Sequence, residues 1–183
     1  MLRSVILLCV CGLACLGNGP IPHLPQPDYE RLDSDPEWLA YAAQFHGHLG
    51  PWATAGTRLG MAGVREVDAT GFFDVEVVCE GPFVKPPKSC FLDGLQVATG
   101  ATLGKRNLHW ARKPSDDIVV RVRNTRTGAR AEIRPTGRLL KILGTLKPRI
   151  KAAAPGEHAD DHAVEALART IAALPDREIL VVT

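Results

Sequence analysis

Ile118-Val119-Val120-Arg121-Val122-Arg123-Asn124, then Thr125-Arg126-Thr127-Gly128, then Arg130-Ala131-Glu132-Ile133-Arg134 is the stretch that decides the fold. Apolar residues alternate with arginine in both arms, and the four residues between them end in glycine, which reads as a hairpin. Arg121, Arg123, Arg130 and Arg134 share one face by that alternation. A solvated outer face is the expectation, because a nucleic-acid surface would bring aromatic stacking residues and this hairpin has none. Helical signals surround it. Asp35-Pro36-Glu37 supplies a capping acid and a first-turn proline, and Trp38, Tyr41, Ala42, Phe45 and Leu49 follow at helical spacing. Gly47 and Gly50 break that helix, and Pro51 opens a second whose Ala53, Gly56, Gly60 and Gly63 form a small face suited to close approach. Phe72–Val78 reads as a buried strand, and Ser89 as the cap of a helix over Cys90–Gly100. A helix from about Arg138 to Lys147, another over Glu157–Leu174 and a last strand at Ile179–Val182 complete the pattern. Helices interspersed with strands predict an α+β fold, a mixed β-sheet packed against helices in a single compact domain.

The composition agrees. The chain has 183 residues, 45% hydrophobic and 23% charged, with a mean hydropathy of −0.01, which excludes a disordered chain, a collagen-like repeat and a polytopic membrane protein. A domain of this size needs neither disulfide nor metal merely to fold, so any metal here is functional. The net charge of +2 is unevenly spread. Residues 1–104 carry 6 Lys/Arg against 11 Asp/Glu, residues 105–151 carry 14 against 3, and residues 152–183 carry 2 against 6. Such a basic middle implies either an anion-binding face or an internally complementary molecule.

Residues 1–27 read as a signal or lipoprotein-like segment with a Pro-rich linker, and 28–183 as the folded domain. Arg3 precedes twelve uncharged residues, Val5–Leu16, which are too few to span a bilayer but suit a secretory signal. Leu13-Ala14-Cys15 adds the end of a bacterial lipoprotein signal, with a lipid anchor at Cys15. The expectation is therefore an exported, periplasmic or membrane-anchored protein; the alternative is a cytoplasmic protein whose apolar start is an artefact. No Cys-x-x-Cys pair occurs, which excludes a zinc ribbon or a thioredoxin-type dithiol, while a Cys79–Cys90 disulfide stays open.

Two segments carry chemistry. Phe45-His46-Gly47-His48-Leu49-Gly50-Pro51-Trp52 places two imidazoles at a helix-to-helix break, where they can enter one site. In Pro86-Pro87-Lys88-Ser89-Cys90-Phe91-Leu92-Asp93-Gly94, Cys90 falls in a helix's first turn, where free N–H groups favour thiolate, and Asp93 lies one turn on. Ala98-Thr99-Gly100-Ala101-Thr102-Leu103-Gly104-Lys105-Arg106-Asn107 looks superficially like a phosphate loop. It is one residue short, lacks Ser or Thr after Lys105 and follows a helix, so nucleotide binding by that mechanism is rejected. Lys105, Arg106 and Asn107 remain anion-binding candidates. His158 and His162 have a zinc-site spacing, but an acid-rich helix start favours a solvated surface.

His-Gly-His-Leu-Gly-Pro and Ser-Cys-Phe-Leu-Asp-Gly-Leu-Gln-Val-Ala-Thr-Gly-Ala-Thr-Leu-Gly-Lys-Arg-Asn-Leu together resemble the FmdE-like family of formylmethanofuran dehydrogenase proteins, over about residues 38–150. The resemblance implies an α+β core, a site where the His-x-His turn meets the Cys-x-x-Asp helix, and a link to one-carbon metabolism. Gly50 and Ala101 stand where that family usually has cysteines, and no carboxy-terminal cysteine-rich zinc finger is present. His46, His48, Cys90 and Asp93 carry over, with Lys105 and Asn107 near them.

Three readings follow. The first is one divalent ion, zinc, held by His46, His48 and Cys90, with Asp93 as fourth ligand or as the partner of a ligand. In the second, an enzyme uses Cys90 as nucleophile, His46 or His48 as proton shuttle and Lys105 as anion holder on a small-molecule substrate. The third is a non-catalytic module of a larger redox complex, bound to a redox partner protein. A homodimer is expected from the resemblance.

Overall fold

In the computed structural model, which describes residues 24–113, 117–146 and 161–183, the strands are β1 (Val75–Gly81), β2 (Leu108–Arg112), β3 (Val119–Asn124), β4 (Arg130–Pro135) and β5 (Leu180–Val182). They form one mixed sheet in the order β2-β1-β3-β4-β5, with β1 and β2 parallel and the other pairs antiparallel. The helices are α1 (Glu37–His46), α2 (Pro51–Glu66), α3 (Cys90–Thr99), α4 (Gly137–Gly144), α5 (Asp161–Ala173) and the short α6 (Asp176–Ile179). The fold is α+β, as the alternation around the hairpin predicts. Val75, Val77 and Cys79 of β1, Val120 and Val122 of β3, and Ile133 of β4 point into one core with Ala55, Leu59 and Ala62 of α2 and Phe91 and Leu95 of α3. Phe83 stacks on Phe91 with ring centroids 4.9 Å apart.

The hairpin register pairs Val120 with Ile133 and Val122 with Ala131. Buried Asn124 fixes the turn: its amide donates to the carbonyls of Val67 and Asp68 and accepts from the N–H groups of Arg126 and Thr127. The arginines face outward, as expected, and most meet acids. Arg121 pairs with Glu80 and Glu132, Arg123 with Glu76, and Arg134 with Glu132 and Asp117. The paired arginines of the hairpin are thus internally complementary.

The small face of α2 meets its expectation as well. A Cβ at Gly56 would lie 2.0 Å from the Phe91 carbonyl oxygen, and one at Gly60 would lie 2.7 Å from Ala98 Cβ, both on α3. A Cβ at Gly63 would press on Val122 of the sheet at 2.5 Å. One helix thus touches α3 and the sheet at near-minimum distance, and this fixes the position of α3.

The structure corrects four local expectations. The strand begins at Val75, because the Asp74 carboxylate takes the Thr70 N–H, the Thr70 hydroxyl and the Gly71 N–H and closes a turn that leaves Phe72 and Phe73 exposed. Residues 108–112 form an edge strand in which only Leu108 is buried, so the alternation that marks other strands is missing there. Ser89 has helical backbone and makes no side-chain cap. Asp35 does not cap α1 either. Its buried carboxylate accepts from the Tyr29 hydroxyl, the Leu32 N–H and the Arg169 guanidinium of α5, tying the segment before α1 to the end of the chain. Residues 1–23, with Cys15, and residues 147–160, with His158, lie outside the described residues; His162 is exposed at the start of α5. No helix among the described residues is long and apolar enough to cross a membrane.

Asp35 gives a pH prediction. Burial opposes its charge, but hydrogen bonds from Arg169, Leu32 and Tyr29 outweigh burial and hold the carboxyl below its ordinary value. A depressed carboxyl contributes stability that is present above the unfolded value of about 3.9 and is lost as pH falls through the folded one. Asp35→Asn should cost about 2 kcal/mol at pH 7, since it strands a half-buried guanidinium. It should also flatten the loss of stability below pH 4. Urea unfolding at pH 7 and pH 3.5 measures both, and an unchanged acid slope would count against the pair.

Candidate functional site

His46 ends α1. Gly47 follows with φ 95°, a left-handed turn that glycine takes without strain, and its N–H bonds back to the Ala43 carbonyl. The turn brings His48 back beside His46, with ring centroids 4.6 Å apart and planes inclined by 46°. The N–H of Asp28 donates to the Gly47 carbonyl at 2.7 Å and holds this loop from outside. Pro51 then starts α2 in its first turn, where a missing N–H costs nothing.

Cys90 is the first residue of α3, and Asp93 lies one turn further on. His46 Nδ1 lies 2.7 Å from Asp93 Oδ2. The Asp93 hydrogen bond, followed by the nearby Cys90 sulfur that favours a protonated ring, outweighs burial and lifts the His46 pKa to about 9. His46 thus lies between the Asp93 carboxylate and the Cys90 sulfur. Its side chain is only 9% exposed, and its Nε2 is covered and has no hydrogen-bond partner. A buried nitrogen without a partner costs about 1–3 kcal/mol. The four residues that sequence reasoning singled out, His46, His48, Cys90 and Asp93, therefore meet at one place. Among the described residues no three His, Cys, Asp or Glu side chains stand in metal-ligand geometry.

Cys79 and Cys90 are both free thiols. The disulfide left open by the sequence does not join them; Cys79 points into the core, where burial and then the charge of Glu80 push its thiol far above the usual range.

Lys105, Arg106 and Asn107 lie elsewhere. They follow the C-terminal end of α3, about 14 Å along the helix from Cys90 at 1.5 Å per residue. Lys105 Nζ sits 5.9 Å above the Phe73 ring. The Asn107 side chain is used up by the carbonyls of Phe72 and Val75 and the N–H of Thr102. Within one chain the anion holder and the thiol do not meet, because a ten-residue helix separates residues that are close in sequence.

A cavity of about 490 Å³ opens beside His46, His48 and Cys90, and its walls include Trp52, Pro86, Pro87, Leu146 and Val164. Trp52 and the two prolines adjoin the motifs and were readable as neighbours. Leu146 and Val164 arrive from α4's end and from α5, and no local signal pointed to them.

Residues 45–181 match the family model described as FmdE, molybdenum formylmethanofuran dehydrogenase operon, and the chain belongs to that family. A stretch of 88 residues is 32% identical to a probable S-adenosyl-L-methionine-binding protein of Archaeoglobus fulgidus, over 46% of this chain and 21% of the relative. The chain thus spans about a fifth of that relative's length.

Proposed function

We propose that this protein binds one divalent metal ion, zinc, through His46, His48 and Cys90, with Asp93 holding His46, and that the adjoining cavity presents a small molecule to it. The observation that carries this reading is the covered Nε2 of His46, whose other ring nitrogen is already fixed by Asp93. A carboxylate on one imidazole nitrogen sets the tautomer and makes the other a better ligand. Two imidazoles and a thiolate suit zinc, which is borderline-soft and takes nitrogen and sulfur. When bound, the ion would supply Lewis acidity to a ligand in the cavity. Asp93 keeps the Nδ1 proton, Cys90 contributes its sulfur from the first turn of α3, and Trp52 with the cavity prolines keeps water away. A role in one-carbon or redox metabolism rests on the family to which the chain belongs.

Elemental analysis after metal-replete expression tests this. One zinc per chain is expected, falling at least tenfold in His48→Ala/Cys90→Ala. Metal absent from the wild type, or retained in the double variant, overturns the assignment.

The order Cys90, His46, Asp93 favours a second reading, since a thiol, an imidazole and an orienting carboxylate make a nucleophile with its base. Iodoacetamide labelling of metal-free protein decides between the two. Under the second reading Cys90 reacts faster with His46 present than in His46→Ala, and added zinc changes nothing. Under the first, zinc protects it. The name of the archaeal relative makes S-adenosyl-L-methionine the first small molecule to titrate against the loaded protein.

A further inference from the structure

We propose that the chain carries a second binding site, between α4 and the loop of residues 82–88, which takes a small monocarboxylate with an apolar body. A cavity of about 440 Å³ lies there. Trp52, Ile118, Leu143 and Leu146 line it, although none of them is more than 7% exposed. Val84, 54% exposed, stands where the cavity meets solvent, and a Cβ at Gly144 on the opposite wall would have nothing within 4 Å. The space is therefore apolar and open at one side. Its size falls in the range of small-molecule sites, which are mostly apolar with a few placed charges. Water finds no polar partners along such walls, so an apolar ligand displaces it readily. The inference does not depend on a metal ion.

Charge selects the head of the ligand. Lys85, exposed, and Lys88, half-buried, carry the only charges on the described walls, and both belong to the loop side. From α4 the cavity receives Leu140, Leu143 and Gly144, with no charge among them. The acids nearest to these walls in sequence are engaged elsewhere: Glu80 pairs with Lys113 and Arg121, and Asp117 with Arg134. A carboxylate that accepts from an ammonium gains a charge-assisted hydrogen bond, whereas a cationic head would be repelled. The apolar body then extends from the loop toward α4. The cavity beside His46 shares Trp52, Pro86, Pro87 and Leu146 with this one, but it carries Asp28 and Glu165 and no lysine. An anion is thus sorted to the lysine side of that common wall.

Full-length protein titrated with dansylaminoundecanoate, a carboxylate whose fluorescence rises in an apolar site, provides the test. The signal should saturate at one equivalent, and decanoate should displace the probe at least tenfold better than decyltrimethylammonium, which has the same tail and the opposite charge. Lys85→Glu/Lys88→Glu should weaken the probe at least tenfold and abolish the preference for decanoate. Gly144→Phe keeps both lysines and fills the cavity from α4, and it too should weaken the probe at least tenfold. Gly144→Ala should bind as the wild type does. Neither the two lysines nor Gly144 lines the cavity beside His46, so both losses report on this site alone. No saturable binding in the wild type overturns the inference. Wild-type affinity in either the lysine variant or Gly144→Phe overturns the site, and equal displacement by decyltrimethylammonium overturns the ligand class.

Discussion

Alanine at Gly94 should cost about 3 kcal/mol or more of folding stability, at or above the upper end of the usual range for an overpacked core. A Cβ there would sit 2.0 Å from the Ala53 carbonyl oxygen and 2.6 Å from the Thr57 nitrogen, both backbone atoms of α2. Neither atom can turn aside as a side chain would. Ordinary contact begins near 3.4 Å, so α2 and α3 would have to part by more than an ångström and loosen Phe91 and Leu95 in the core. The sign is informative, because inside a helix glycine-to-alanine otherwise stabilises by up to about 1 kcal/mol. Gly144→Ala, in α4 with nothing within 4 Å, should be neutral or slightly stabilising and serves as the control. Gly56→Ala meets the Phe91 carbonyl at 2.0 Å and should behave like Gly94→Ala. Urea unfolding of the three variants decides it, and a Gly94→Ala protein as stable as the wild type would mean that the helices do not cross this closely.

The same glycines show how much the sequence disclosed. Gly56, Gly60 and Gly63 recur at helical spacing, so the close face of α2 was legible. Its partner was not, because Gly94 is one glycine without a periodic neighbour. Alternation exposed the hairpin, whose two faces see different solvents, and hid β2, an edge strand with four of five residues exposed. His46, His48, Cys90 and Asp93 were legible because each sits at a helix end or first turn that punctuation residues mark. Arg58 was not legible. It reads as one charge on a helix, yet it donates to the carbonyls of Ile171, Ala172 and Leu174 and pairs with Asp176, capping α5 from more than a hundred residues away. Lys105 misled for the opposite reason. Sequence adjacency to the Cys90 helix suggested spatial adjacency, but a helix carries its two ends apart.

Asp93→Asn should weaken zinc binding by 10–100-fold, the usual cost of losing the carboxylate behind a metal-bound imidazole. Asparagine can still accept the His46 Nδ1 proton through its carbonyl oxygen, so the ring keeps its place and only the charge is lost. Asp93→Ala loses both and should lie at or beyond the weaker end of that range. Asp93 is also the largest cause of the His46 pKa of about 9, so in metal-free Asp93→Asn that pKa should fall toward the ordinary value of about 6.5. The direction for stability follows. A raised imidazole pKa contributes stability that is fully present below about pH 6.5 and is lost as pH rises through about 9. Metal-free wild type should therefore lose stability between those values, and Asp93→Asn should lose little. Zinc competition against a chromogenic chelator and imidazole proton chemical shifts against pH give the two readouts separately. A lowered affinity with the visible spectrum of cobalt-substituted protein unchanged is expected of a carboxylate that holds the ligand. A spectrum that changes its coordination with Asp93→Asn would make Asp93 itself a ligand. An affinity within twofold of wild type would remove Asp93 from the site.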